Sequence, residues 1–373
     1  MSIPLLSLII PTRERAQTLV HTIATALDQA SQDFEVVVGD NASADGTRAV
    51  VEAIDDPRLR YFNSGERLSM CDNYEFALSN ARGRHVIIIG DDDAVMPGGI
   101  DMLLERLRAD AEPTIYFWPL HIYDWPSADE PAQAYYVAAE QPERRLELKP
   151  KARSVVALGG WKYYELPSPY HSAVPRDLLL AIKTRTGRVF HTTQPDVFTG
   201  MALPAFADHA VNLGKTVTLH GRSPKSNGRD FTRGVRPNID QFIREYNGYT
   251  FHESLFAGMS APARMIPDAI IVAKEMFPEV YGSVDFDYSA MWAYVSRLGF
   301  VTRGDVVRHA GLFKQSHPFS LRRFLTKSLI HTGAVARRKA LNMLQRQTQF
   351  RHAAPDTIQG FVRALRSDAG PRP

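Results

Sequence analysis

The N-terminal third of the chain alternates between two hydrophobic patterns, and this alternation restricts the fold more than any other feature. Continuous apolar runs occur in LLSLIIPT, FEVVVGDNAS and HVIIIG, and Leu19, Ile23 and Leu27 are spaced as on one face of a helix. Strands that are apolar at every position are covered on both faces, and helical crossovers join them into a parallel sheet. The alternation therefore predicts an α/β fold with a mostly parallel central sheet flanked by helices.

Polar motifs follow the predicted strands, namely PTRER, GDNAS and GDDD. In doubly wound sheets, ligands bind beyond the carboxyl ends of the strands. We therefore expect these motifs to converge on one crevice.

The last of these motifs contains three consecutive carboxylates, Asp91, Asp92 and Asp93. Like charges this close repel one another unless a cation neutralises them, and hard oxygen ligands suit Mg²⁺ or Mn²⁺. The cluster predicts a cation site that could bridge two phosphates. The alternative is a solvated turn that caps the helix starting near Gly98.

The chain resembles a family 2 glycosyltransferase with the GT-A (Rossmann-like) fold. The resemblance rests on SLIIPTRER, FEVVVGDNASADGT, LSMCDNYEFALSNARGRHVIIIGDDDAVMPGG and, more weakly, QPDVF. It implies a glycosyltransferase domain over residues 1–225, divided into a nucleotide-sugar half (1–115) and an acceptor half (116–225). Residues 226–373, where the pattern is mainly helical and basic, form a C-terminal extension outside the resemblance.

The resemblance also implies a set of donor-binding residues. Asp40 and Asn41 would lie at the base, with Asp40 accepting from the uracil N3–H if the donor is a UDP-sugar. The alternative for residues 40–46 is an Asx-rich turn, and Asn73 could equally be a plain polar surface residue. The full set implied for the nucleotide and donor sugar is Pro11, Thr12, Arg13, Arg15, Asp40, Asn41, Ser43, Arg67, Asn73 and Asp91.

For the metal, the family pattern places Gly90 where an aspartate is usual and aligns Asp92 with the metal ligand. Asp93 and His220 are further candidate ligands, and the expected ion is Mn²⁺ or Mg²⁺. Arg222 and Lys225 would supply counter-charges to the diphosphate from the loop HGRSPKSNGR. The alternative for that loop is an ordinary basic surface segment.

Asp196, in TQPDVF, corresponds to the family's catalytic base. Its alternative role is an N-cap after Pro195, and Asp208 is the second candidate base. The implied reaction is a single displacement with inversion, in which a sugar passes from a nucleotide donor, expected to be UDP-linked, to a hydroxyl of a glycan or lipid-linked oligosaccharide. The rival functions are a catalytically silent sugar-nucleotide-binding or scaffold protein and a metal phosphohydrolase.

The C-terminal region is strongly basic, since residues 306–355 contain ten Lys or Arg and no Asp or Glu. Interleaved leucines and phenylalanines indicate either peripheral contact with an anionic membrane or an ordinary packing helix. We do not expect nucleic-acid binding, because aromatic interleaving and known modules are lacking. The single cysteine, Cys71, excludes an intramolecular disulfide and is expected to be buried rather than nucleophilic. These features favour a cytoplasmic protein, in part at the inner face of the membrane.

Overall fold

The molecule is built around a central sheet of eight strands in the order β3-β2-β1-β4-β10-β6-β11-β9. The computed structural model describes residues 3–135, 140–226, 241–246, 248–316, 318–344, 352–353 and 355–366. A second sheet has the order β13-β8-β7-β12-β5. The strands are β1 (Leu6–Thr12), β2 (Phe34–Asp40), β3 (Leu59–Asn63), β4 (His85–Ile88), β5 (Ala94–Val95), β6 (Ile115–Phe117), β7 (Ile122–Asp124), β8 (Gln133–Tyr135), β9 (Arg144–Glu147), β10 (Ser172–Pro175), β11 (His209–Asn212), β12 (Thr218–Arg222) and β13 (His352–Ala353).

Helices cover both faces of the central sheet and form most of the C-terminal region. Two apolar cores, one on each face, are anchored by fully buried strand residues such as Ile9 and Val37 on one side and Leu8 and Val36 on the other. The helices are α1 (Ala16–Leu27), α2 (Thr47–Glu52), α3 (Met70–Ser79), α4 (Gly99–Ala109), α5 (Leu148–Ala157), α6 (Arg176–Thr186), α7 (Pro195–Ala202), α8 (Ala261–Met276), α9 (Pro278–Tyr281), α10 (Tyr288–Arg297), α11 (Arg303–Arg308), α12 (Ala310–Ser316), α13 (Leu321–Leu344) and α14 (Ile358–Arg366).

Strands β3, β2, β1 and β4 are parallel, as the apolar runs predict. The second half of the sheet is mixed, because β10 runs antiparallel to both β4 and β6. Residues 209–222 do not form one continuous strand but contribute β11 and β12 to two different sheets. The chain turns between them because the side chain of Asn212 accepts a hydrogen bond from the N–H of Gly214, which has φ of 67°.

The C-terminal helix α14 returns to the N-terminal half of the chain. Ile358, Phe361 and Val362 pack with Tyr123 and Trp125 in a third apolar core beside the second sheet. The His21 ring of α1 also lies 3.1 Å from the amide oxygen of Gln359. Among the described residues, no helix is both long enough and apolar enough to cross a membrane.

Candidate functional site

The polar motifs meet at the carboxyl ends of β1, β2 and β4. Thr12, the last residue of β1, donates a hydrogen bond of 2.7 Å from its hydroxyl to the Asp91 carboxylate, which follows β4. The backbone N–H of Arg13 lies 3.4 Å from the same oxygen. Pro11 pairs with Gly39 in the register of β1 and β2, so the three strand ends share one edge.

An arginine contacts the first two carboxylates of the cluster. Nη1 of Arg15 lies 3.1 Å from Asp91 Oδ1 and 3.2 Å from Asp92 Oδ2, and all three side chains are largely buried. Burial lowers the pKa of Arg15, but Asp91 and Asp92 outweigh it, so the guanidinium remains charged. Burial also raises the pKa of Asp91 above its ordinary value, against the opposing charge of Arg15.

The third carboxylate is neutralised by imidazoles instead. Asp93 is fully buried, with His171 Nε2 3.0 Å from Oδ2 and His220 Nδ1 3.3 Å from Oδ1. Burial, the largest influence, raises the pKa of Asp93, but the two histidines outweigh it and hold that pKa well below its usual range. The N–H of Gly221 donates a further hydrogen bond of 2.7 Å to Oδ1.

Asp93, His171 and His220 form a group that could hold a metal ion, since their ligand atoms lie within 4.8 Å of one another. His171 Nε2 is buried and lacks a hydrogen bond of normal geometry among the described residues. Its other ring nitrogen, Nδ1, lies 2.7 Å from the Thr218 hydroxyl, which also accepts from Trp118 Nε1 at 2.8 Å. A nitrogen left without a partner beside a carboxylate is what a metal ligand requires.

Asp92, the residue aligned with the metal ligand in the sequence comparison, has different partners. Its Oδ2 accepts from the backbone N–H of Ser223 at 2.9 Å as well as from Arg15. A Cβ on Gly90 would lie 3.0 Å from carboxylate oxygens of both Asp92 and Asp93, so an aspartate at that position would crowd the cluster. Of the three predicted metal ligands, the structure brings Asp93 and His220 together and adds His171.

His171 escaped the sequence analysis because no spacing links it to the acidic cluster. It immediately precedes β10, the strand inserted antiparallel beside β4, and its φ of 58° lies in the left-handed region. That conformation is rare for a residue other than glycine and concentrates at functional sites. Glu14 and Ala42, which also have positive φ, lie in the two loops that follow β1 and β2.

On the nucleotide side, Asp40 is fully buried and organises its own loop. Its carboxylate accepts from the Ser43 N–H and hydroxyl, from the Tyr61 hydroxyl at 2.5 Å and from the Asn63 amide at 2.9 Å. These four donors match the four lone-pair positions of a carboxylate. The Ser43 hydroxyl also accepts from the Glu14 N–H, so this loop is connected to the loop after β1.

Two asparagines hold neighbouring backbone. Asn41 forms a two-way clamp with Leu68, donating to its carbonyl at 2.8 Å and accepting from its N–H at 2.7 Å. Asn73 is buried rather than a surface residue, and it donates to the Gly39 carbonyl at 3.3 Å while its Oδ1 lacks a partner among the described residues.

Arg13 and Arg67, both predicted to contact the donor, share an acidic partner that the sequence analysis missed. Glu245 lies 2.5 Å from Arg13 Nη1 and 3.5 Å from Arg67 Nε. It comes from residues 241–246, more than 170 residues away along the chain, and no motif signals it.

The loop after β12 approaches the cluster from the other side. The backbone carbonyl of Lys225 accepts a hydrogen bond from Arg15 Nη2, and the Lys225 side-chain Nζ lies 3.5 Å from the Glu14 carbonyl. Arg222, predicted for the diphosphate, instead forms a two-pronged ion pair with Asp124 at 2.5 and 2.7 Å. Residues 227–229 of the predicted loop lie outside the described residues.

The predicted base, Asp196, lies in the first turn of α7 and is half-buried. Burial raises its pKa above the ordinary value. Burial raises the pKa of the Tyr74 hydroxyl, and the charges of Asp196 and Asp93 raise it further, so both carboxylates lie near this tyrosine. The second candidate, Asp208, is exposed and pairs with Lys149 at 2.9 Å.

Cys71 is buried, and its thiol contacts the Thr192 carbonyl at 2.8 Å. Burial raises its pKa to about 12. A thiol that stays protonated at neutral pH is a poor nucleophile, which agrees with the packing role predicted for it.

Comparison with known proteins identifies the family of the N-terminal region. Residues 7–158 match the model of glycosyl transferase family 2. A Campylobacter jejuni protein named GalNAc(5)-diNAcBac-PP-undecaprenol beta-1,3-glucosyltransferase is 33% identical over 106 residues, covering 28% of this chain and 34% of the relative. The succinoglycan biosynthesis protein ExoO of Rhizobium meliloti is 35% identical over 107 residues, covering 29% and 31%. The chain thus aligns with about a third of the length of these curated relatives.

Among solved structures, S. aureus TarS in complex with UDP-GlcNAc is similar over 88% of this chain and 92% of that chain, with a TM-score of 0.50 and 13% identity. At this identity the likeness concerns the fold alone. It confirms the predicted α/β fold of GT-A type with a helical C-terminal region.

Proposed function

Residues 7–158 of this chain belong to glycosyl transferase family 2, and from that premise we propose that the protein transfers a sugar from a nucleotide-sugar donor to an acceptor hydroxyl. One observation carries the proposal. The acidic cluster after β4 accepts a hydrogen bond from Thr12 at the end of β1 and lies beside two histidines, His171 before β10 and His220 in β12. Carboxylates and imidazoles converging on the carboxyl edge of a parallel sheet form a suitable platform for a cation and a diphosphate.

The residues present fit a divalent cation. Asp93 offers a carboxylate oxygen, and His171 and His220 offer ring nitrogens, all within 4.8 Å. Because two of the three candidate ligands are imidazoles, we favour Mn²⁺ over Mg²⁺, which prefers oxygen ligands. When bound, such an ion stabilises the charge that develops on the leaving diphosphate.

The protein's own groups would prepare this site and respond to the donor. Arg15 contacts the carboxylates of both Asp91 and Asp92. Thr218 orients the His171 ring through Nδ1, which leaves Nε2 facing Asp93. We propose UDP as the nucleotide and assign its base to the loop formed by Asp40 and Asn41. A uracil N3–H would replace one of the four donors from which the Asp40 carboxylate now accepts hydrogen bonds.

For the acceptor, we propose Asp196 as the base that removes the hydroxyl proton during a single inverting displacement. Burial raises the pKa of Asp196, which brings its basicity closer to that useful at neutral pH. The charges of Asp196 and Asp93 both act on Tyr74, so the proposed base lies in the same region of the molecule as the metal group.

We propose that the acceptor is a glycan or lipid-linked oligosaccharide and that α13 contacts the membrane. Phe324, Ser328 and His331 face the protein, whereas the opposite side of the helix is mostly exposed. That side carries apolar and cationic groups together, as in helices that lie on anionic bilayers. These groups are Leu325, Leu329, Ile330, Arg322, Arg323 and Lys327.

Calorimetric titration with UDP, and with GDP for comparison, tests the donor site with and without Mn²⁺. We expect Mn²⁺-dependent binding of UDP that weakens at least 30-fold in Asp93→Asn, because the candidate metal group loses its charged ligand. Asp285→Asn, at an exposed aspartate, is the matched control and should bind as wild type. Metal-independent binding, or no binding of either nucleotide, would contradict the proposal.

Turnover separates the enzyme from a silent nucleotide-sugar-binding protein. The protein is incubated with UDP-sugars and candidate acceptors, and transfer is measured alongside phosphate release. Transfer that Asp196→Asn reduces at least 100-fold while UDP binding is retained supports the enzyme and the assigned base. Binding without transfer favours the silent protein, and phosphate release without transfer favours a phosphohydrolase.

A further inference from the structure

A cavity lies at the amino edge of the central sheet, opposite the candidate site at the carboxyl edge. It has a volume of about 350 Å³ and is lined by residues at the amino ends of β1, β4 and β6 and at the start of α6. His85 at this edge and Asp91 at the other are six residues apart along β4 and its extension. At about 3.3 Å per residue, roughly 20 Å separate the two sites.

Three arginines line this cavity, Arg82, Arg84 and Arg176. Within the described part of the chain, none of them forms an ion pair, although Arg106 nearby is held by Asp110 at 2.7 Å. The other acidic residues of the lining, Glu112 and Asp177, are exposed. Unpaired guanidinium groups around a concave surface favour an anionic ligand, since each can donate two parallel hydrogen bonds to an oxyanion.

Two buried polar side chains in the lining lack partners. Tyr116 is fully buried, and its hydroxyl has no hydrogen bond to the described residues. His85 is 7% exposed, and neither ring nitrogen makes a hydrogen bond of normal geometry there. An unsatisfied buried polar group destabilises the fold, so a ligand in this cavity that bonds to these two groups would gain affinity from them.

The start of α6 adds a backbone donor. This helix of 11 residues has Pro175 at its N-cap, with no side chain capping the first turn, and Pro175, Arg176 and Asp177 all line the cavity. Pro175 has no N–H, and the Arg176 N–H already donates to the Arg84 carbonyl at 2.8 Å. The Asp177 N–H is therefore the lining donor that, together with the helix dipole, favours an anion.

We propose that this amino-edge cavity binds a phosphate group. Donors approach it from β4, β6 and α6, and a tetrahedral anion has oxygens directed toward each of them. A phosphate carries more oxygens than a carboxylate and can accept from donors in more directions at once, so we favour it over a carboxylate. The phosphate is either a free anion or the phosphoryl group of a larger molecule such as a lipid headgroup. The proposal is independent of the glycosyltransferase proposal, because it involves none of the residues of the carboxyl-edge site.

Calorimetric titration with inorganic phosphate and diphosphate tests this cavity. We expect saturable binding by the wild type that weakens at least tenfold in the double variant Arg84→Gln/Arg176→Gln. Arg185→Gln, at an exposed arginine paired with Glu279, is the matched control and should bind as wild type. No saturable binding by the wild type, or equal affinity in the double variant, would overturn the proposal.

If the double variant fails to fold, Tyr116→Phe provides the test of phosphate binding. It removes only the unpartnered hydroxyl, and we expect phosphate affinity to fall several-fold; unchanged affinity would overturn the role of the hydroxyl and the proposal with it. Co-sedimentation with vesicles of phosphatidylcholine, with and without phosphatidic acid, separates the two sources. Binding to phosphatidic acid that the double variant loses identifies a lipid headgroup, and binding of soluble phosphate alone identifies a free anion.

Discussion

The two edges of the central sheet handle charge in opposite ways. At the carboxyl edge, the acidic groups have partners within the protein: Arg15 contacts Asp91 and Asp92, and His171 and His220 contact Asp93. At the amino edge, Arg84 and Arg176 have no ion pair among the described residues, and buried polar groups lack partners. A ligand at the first edge must therefore displace protein contacts, whereas a ligand at the second edge adds contacts that are missing.

The largest expected effect on stability comes from a steric clash introduced at the carboxyl edge. In Gly221→Ala, the new Cβ would lie 1.7 Å from the Asp92 carbonyl oxygen, which belongs to the backbone and cannot move freely. Displacing β12 would also break the bond from the Gly221 N–H to Asp93. We expect a loss of about 3 kcal/mol or more in the free energy of unfolding, measured by urea denaturation. Gly311→Ala, with no atom nearby, is the control and should be neutral or stabilising by up to about 1 kcal/mol.

Removing the positive charge of Arg15 at the carboxyl edge should have the next largest effect on stability. Arg15→Gln leaves Asp91 and Asp92 buried without a counter-charge, and we expect a loss of about 3 kcal/mol at neutral pH. Without Arg15 the pKa of Asp91, already raised by burial, rises further. The folded state then takes up a proton more readily than the unfolded state, so the variant should regain stability as the pH falls toward 4. A loss that does not change with pH would contradict this account, and Arg48→Gln, at an exposed pair with Glu52, should change stability by less than about 0.5 kcal/mol.

The buried histidine at the amino edge should make the stability of the protein depend on pH in the acid range. Burial lowers the pKa of His85 to about 4, so between about pH 6.5 and 4 the unfolded state binds a proton that the folded state does not. Stability should fall as the pH drops through this window, and His85→Gln should reduce the fall by about 2 to 3 kcal/mol. Thermal and urea unfolding in phosphate-free buffers measure it. Burial also lowers the pKa of His191 and His331 to about 4, so part of the slope should remain, and a variant with an unchanged slope would refute the assignment.

The smallest effects compare one hydroxyl at each edge. The Tyr61 hydroxyl donates to Asp40 at 2.5 Å, so Tyr61→Phe should lower the free energy of unfolding by about 1.5 to 2 kcal/mol. The Tyr116 hydroxyl has no partner in the described part of the chain, so Tyr116→Phe in phosphate-free buffer should leave stability unchanged or raise it by up to about 1 kcal/mol. Equal losses in the two variants would mean that the amino edge is as well satisfied as the carboxyl edge.

The sequence patterns predicted the site at the carboxyl edge because its main residues directly follow strands with clear apolar runs. The apolar runs of β1, β2 and β4 are continuous, and each ends in a polar motif. His171 could not be found in this way, because it reaches Asp93 only through the antiparallel insertion of β10 beside β4. Strand pairing between distant segments leaves no local periodicity.

The same reason explains why other partners were missed. The pairing of Arg222 with Asp124 follows from the register of β12 and β7, which places these two residues side by side. Glu245 reaches Arg13 from a segment with no strand signal at all. The polar residues of the amino edge belong to no motif, and their lack of partners is a property of packing that only coordinates reveal.

The return of α14 to α1 has a consequence for the order in which the chain acquires its structure during synthesis. His21 and Gln359 are 338 residues apart, and the third core joins Tyr123 to Phe361. At about 5 to 20 residues per second, the ribosome needs roughly 20 to 70 s between making the two partners. Tyr123 and Phe361 are 238 residues apart, so the apolar surface that later receives Phe361 stays uncovered on the nascent chain for about 10 to 50 s and is accessible to chaperones.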